Sequence, residues 1–173
     1  MDSLFANNQD LSSQIRYVIV LGKETSRRSE FDLVGNILYW SSTKYKRVTR
    51  AVLASELYRI VAGINIAISI STTLQIITTQ LRLPLIPLVV CTDSYSLYNC
   101  IVKLSTTKEK RLIIDIIAIR ESYKRREIEE IRWIKGDSNP ADTITKSKPN
   151  RALSKLVNTN SLNIKVQGYI NRE

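Results

Sequence analysis

Leu88-Val89-Val90-Cys91-Thr92-Asp93, followed by Ser94-Tyr95-Ser96-Leu97, is the stretch whose reading decides the fold. Four apolar residues in a row after Pro87 read as a central strand, buried on both faces, in a sheet with parallel strands. The run stops on an acid. Ser94 can cap a helix, and Leu97, Ile101 and Leu104 follow it at helical spacing. A buried strand that ends in Asp and turns into a helix puts a carboxylate at the carboxyl edge of a sheet. Open α/β sheets bind their ligands at that edge. Taken alone, Asp93 reads as an ordinary acid near a helix start, a cap and nothing more.

Working outward toward the amino terminus, residues 49–73, with a restart to residue 80, read as one long helix. Its apolar stripe is Leu53, Leu57, Ile60, Ile64 and Ile68. Glu56 lies beside that stripe, where a solvated acid would normally be turned away. Before the helix, residues 14–21 alternate as a strand, residues 22–34 read as a long hairpin loop, and residues 35–42 read as a second strand. Lys44, Lys46, Arg47 and Arg50 form a basic connection into the helix. Residues 1–6 read as a short first strand carrying Asp2, and residues 7–13 as a polar turn.

On the carboxyl side, helices are predicted over residues 94–104 and 108–125, the second with Leu112, Ile116, Ile119 and Tyr123 inward. Residues 129–135 alternate around Ile131 and Trp133 as a strand. Asn139 as cap and Pro140 at the first helical position start a last helix, with Asp142 in its first turn. That helix runs to Val157 with a break near Pro149. Residues 162–169 read as a short extra strand or a tail. The fold class expected is α/β: a mixed five-stranded sheet, antiparallel meander plus parallel strands, with helices on both faces. Residues 1–157 make the domain and 158–173 the remainder.

Composition narrows the chemistry. The 173 residues carry 26 Lys and Arg against 16 Asp and Glu, a net charge of +10, so a polyanion is the natural partner. There is no histidine. That excludes Ser-His and Cys-His dyads, histidine bases and histidine metal ligands. Cys91 and Cys100 read as small apolar residues of a reducing compartment, so an intracellular location, cytoplasm or nucleus, is expected. No apolar run is read as spanning a membrane, because Asn65 and Ser69 interrupt residues 60–70. Four acids then stand out by position: Asp2, Glu56, Asp93 and Asp142. Clustered carboxylates without histidine or a cysteine set suit a hard divalent cation.

The order of elements and acids resembles the RNase H domain that ends copia-type retrotransposon polyproteins. The resemblance rests on four segments: Asp2-Ser3-Leu4-Phe5-Ala6-Asn7-Asn8, Ser41-Ser42-Thr43-Lys44 leading to Leu53-Ala54-Ser55-Glu56-Leu57-Tyr58, Cys91-Thr92-Asp93-Ser94, and Asn139-Pro140-Ala141-Asp142-Thr143-Ile144-Thr145-Lys146. It covers residues 1 to about 157. It implies Asp2, Glu56, Asp93 and Asp142 as an acidic quartet binding two Mg²⁺ or Mn²⁺ ions, and hydrolysis of the RNA strand of an RNA–DNA hybrid. The hybrid is expected along Lys44, Lys46, Arg47 and Arg50, with Asn7 and Ser94 as short polar contacts. The other reading is a catalytically impaired or domesticated RNase H-like module that binds nucleic acid without turnover. The resemblance also implies apolar residues upstream of Asp2, completing a central first strand. The first strand therefore reads as truncated and the chain as a retrotransposon fragment.

Overall fold

A computed structural model describes residues 13–45, 52–102, 110–144 and 151–169. Asp2, Asn7, Lys46, Arg47 and Arg50 lie outside these residues, as does the predicted first strand. The described elements, in order, are β1 (Ser13–Ser26), β2 (Glu30–Tyr45), α1 (Val52–Gln80), β3 (Val89–Thr92), α2 (Tyr95–Val102), α3 (Lys110–Lys124), β4 (Glu130–Ile134), two short 3₁₀ turns (Gly136–Ser138 and Pro140–Ile144), α4 (Ala152–Thr159) and β5 (Ser161–Tyr169). They build a mixed five-stranded sheet in the order β1-β2-β5-β4-β3. Only β3 and β4 are parallel; the other neighbours are antiparallel.

Three expectations change. The predicted loop over residues 22–34 is mostly strand, because β1 and β2 continue through it to a tight turn closed by Arg27 N–H donating to the Glu30 carbonyl at 2.8 Å. Gly22 and Gly35 face each other across the pair, and a Cβ on Gly22 would meet the Val34 carbonyl oxygen at 2.6 Å. Two backbones this close admit only glycine. Charged and hydroxyl residues around the two glycines look like loop chemistry when the partner strand is not in view.

Among the described strands, the one ending at Asp93 lies at the edge and is not central. There β3 hydrogen-bonds to β4 alone, and Cys91 on it is exposed. Its apolar run reflects packing of Val90 under α2 and α3, with Leu97, Ile101, Leu112, Ile116 and Ile119 buried above it. The middle of the sheet, which the resemblance implies for the strand carrying Asp2, is held by β5, read from sequence as an extra strand or tail. β5 pairs with β2 on one side and β4 on the other, and buries Leu162 and Ile164 against Leu156 of α4, Phe31 and Ile134.

The third change concerns α1. It has 29 residues and is long and apolar enough, by length and composition, to cross a membrane. The interruption at Asn65 and Ser69 does not stop it: the Ser69 hydroxyl donates to the Asn65 carbonyl one turn back. Its amino-terminal half packs on the sheet through Ala54, Leu57 and Ile64, and Gly63 lets it approach so closely that a Cβ there would stand 3.3 Å from the Tyr17 ring. Its far half exposes Ile76 and Ile77, and exposed Leu81, Leu83 and Leu85 follow.

Candidate functional site

The site lies where β3 ends. Asp93 follows the strand. The next residue, Ser94, starts α2: its hydroxyl accepts from the Leu97 N–H at 3.4 Å, and its own N–H donates to Thr92 Oγ1 at 3.2 Å. The Ser94 hydroxyl is thus engaged in the cap. Glu56 stands in the first turns of α1, half-buried. Asp142 sits in the 3₁₀ turn Pro140–Ile144, which Asn139 caps by accepting from the Ala141 N–H at 3.0 Å. The predicted helix start is therefore present, but as one 3₁₀ turn. The sheet edge also draws in the loop after β4: a Cβ on Gly136 would stand 3.5 Å from Asp93 Oδ2.

Electrostatics ties the three acids together. Burial pushes the Glu56 carboxyl above its ordinary range, and Asp93 and Asp142 push it further, while Arg59 and Arg16 pull it down. Asp93 and Asp142 therefore both lie within reach of the Glu56 carboxylate's charge. The two arginines are the part that sequence reading missed. Arg59 pairs with Glu56 at 2.7 Å. Arg16, on β1, is 8% exposed, reaches the Asp142 carbonyl oxygen at 3.5 Å, and lies in the field of all three carboxylates. The Nε atoms of both arginines are buried without a partner. A signal existed for Arg59, since an acid and a base three apart on a helix face each other. For Arg16 the signal was an arginine set between Ile15 and Tyr17 in an alternating strand, which needs a buried anion to be tolerable.

In kind, the donor set fits a hard divalent cation: carboxylate oxygens, with no imidazole or thiolate among them. Among the described residues no three such side chains stand close enough to share one ion. The positive charge that such a cluster requires is supplied there by the two guanidinium groups. Asp2, the fourth acid of the expected quartet, falls outside the described residues; of the other three, Asp93 and Asp142 lie within electrostatic reach of Glu56 without forming one ion-sized cluster. Of the expected nucleic-acid contacts, Lys44 is exposed near the end of β2, opposite Gln14 in the β1 register, and Ser94 adjoins Asp93. Comparison of the chain with protein-family models, with curated proteins and with solved structures finds no match.

Proposed function

We propose that the chain is a retrotransposon-derived, RNase H-type endoribonuclease acting on the RNA strand of RNA–DNA hybrids, working inside the cell. The observation that supports the reading is that Asp93, just past the carboxyl end of β3, and Asp142 both lie within electrostatic reach of Glu56, although the three stand on elements far apart in sequence. Those acids, with Asp2, would hold the divalent cations. The chemistry such cations supply when bound is activation of water and neutralisation of charge on the leaving 3′ oxygen. The protein's own share is placement. The α2 cap fixes Asp93, the Asn139 cap fixes Asp142, and the ion pair with Arg59 one turn on in α1 holds Glu56. The basic surface brings the phosphate backbone to that edge.

A second reading has its own observation. Arg16 and Arg59 already neutralise much of the acid cluster, which suits a module that binds nucleic acid without cutting it. The deciding experiment is cleavage of a labelled RNA–DNA hybrid with Mg²⁺ or Mn²⁺, beside an Asp93→Asn control. Divalent-dependent cutting lost in the control supports the nuclease. Binding without cutting, unchanged by Asp93→Asn, supports the second reading.

A further inference from the structure

A hollow of about 360 Å³ opens beside the acid cluster, across the loop after β4. Lys135 and Lys165 reach it from adjacent backbone, the Lys135 N–H donating to the Lys165 carbonyl at 3.0 Å. Arg151 and Lys155 reach it from the start of α4. Leu162 lies against it, buried, and Asp137 is the one acid that lines it. All four cations are exposed, and among the described residues none of them is paired with a carboxylate. Two other surface arginines are paired: Arg27 with Glu30 and Asp32, and Arg125 with Glu127.

Four like charges around one concavity repel one another and focus a positive potential into it. Nothing in the packing requires them, since the core beneath is completed by Leu156, Leu162 and Ile164. One residue connects the hollow with Asp93: Lys135 and Asp137, which line it, flank Gly136, where a Cβ would stand 3.5 Å from Asp93 Oδ2. A backbone whose phosphates are spaced along a strand can therefore touch both.

We propose that this hollow is a binding site for nucleic-acid backbone phosphates, holding the substrate strand beside the carboxylates. The assignment of that strand to an RNA–DNA hybrid rests on the function proposed above. The phosphate site does not. Recognition is by charge and by the adjacent Asn163 and Ser138, so it is indifferent to base sequence. Its residues are other than Lys44, Lys46, Arg47 and Arg50, from which the sequence alone would draw the contact.

The test is fluorescence anisotropy of the full chain with a labelled hybrid in EDTA, titrated over a range of salt. One variant carries Lys135→Gln, Arg151→Gln, Lys155→Gln and Lys165→Gln. A second loses four exposed cations outside the hollow: Lys23→Gln, Arg28→Gln, Arg82→Gln and Arg126→Gln. The hollow variant should bind about ten-fold or more weaker at moderate salt, and its log–log salt slope should fall by about two units, at roughly 0.9 per lost phosphate contact. The second variant should stay near the parent. Equal losses in both would show that net charge alone is at work and overturn the site, as would parent-like binding by the hollow variant. If either variant unfolds on thermal melting, the parent itself answers: mass-spectrometric acylation should find Lys135, Lys155 and Lys165 shielded by the hybrid, and unchanged reactivity overturns the site. A chain that binds through the hollow but never cuts overturns the nuclease and leaves this site standing.

Discussion

Arg16 is the residue on which the site turns. A guanidinium 8% exposed is a buried charge: burial and the neighbouring Arg59 weigh against it, and the charges of Asp142, Glu56 and Asp93 offset part of that cost. Arg16→Met should destabilise the chain by about 1–3 kcal/mol in EDTA, since the Asp142 carbonyl loses its donor and the half-buried acids lose a nearby positive charge. Saturating Mg²⁺ should recover part of the loss, because a cation that binds only the folded state stabilises it. Urea unfolding with and without Mg²⁺ checks both statements, and parent-like stability in EDTA would remove Arg16 from the site. Asp93→Asn behaves oppositely. Removing one of three like charges leaves the fold intact or firmer in metal-free buffer, while single-turnover cleavage of a hybrid should be abolished. A variant cutting as fast as the parent ends the assignment of Asp93.

At the scale of elements, the β1–β2 hairpin is bolted to β4 by one ion-pair group. Arg132 pairs with Glu24 at 2.8 Å and with Glu130, and its guanidinium lies 4.7 Å from the Phe31 ring centroid. Burial pushes the Glu24 carboxyl up, but hydrogen bonds from Arg132 and Ser26 and the Arg132 charge outweigh it, so the group titrates below its ordinary range. A carboxyl lowered on folding contributes stability that is complete above the unfolded value, about 4.3, and is lost as pH falls through the folded value. Thermal melts from neutral pH downward should therefore show the parent losing stability below about pH 4 more steeply than Glu24→Gln. At neutral pH that variant should be weaker by about 1–3 kcal/mol, the cost of unsatisfied buried donors. The far end of α1 makes the converse case. Ile76 is 57% and Leu81 62% exposed, so both cost solubility and contribute little packing. Ile76→Lys with Leu81→Lys should shift stability by no more than about 0.5 kcal/mol per site. Light scattering should show less association, and a large drop in melting temperature would mean this end is packed.

For the whole molecule, the decisive fact is the place of β5. The last of the described strands lies in the middle of the sheet and holds its two halves together: β1–β2 on one side, β4–β3 on the other. Leu162→Ala should cost about 2–5 kcal/mol, as for any fully buried leucine. A tail residue would cost nothing, so chemical denaturation of this one variant separates the two readings of 161–169. Ending the chain at Asn160 should abolish cooperative unfolding, because β2 and β4 would each lose a hydrogen-bonded neighbour.

Local chemistry made much of this legible without coordinates. Helix spacing placed α1, α2 and α3, the alternation around Ile131 and Trp133 placed β4, and Ser94 and Asn139 marked the two caps that hold Asp93 and Asp142. These signals depend on near neighbours along the chain, so the sequence carries them whole. Strand order, the closing of β1 and β2 through residues 22–34, the descent of β3 from centre to edge and the rise of β5 from tail to centre belong to tertiary structure. So does the arrival of Arg16 among acids up to 126 residues away. An apolar run of four or five residues looks the same at the edge of a sheet under two helices as it does in the middle, because burial by helices and burial by strands leave one hydrophobic signature. Which strand lies beside which, and which cation meets which acid, is decided only when the cores under α1 and α4 close together.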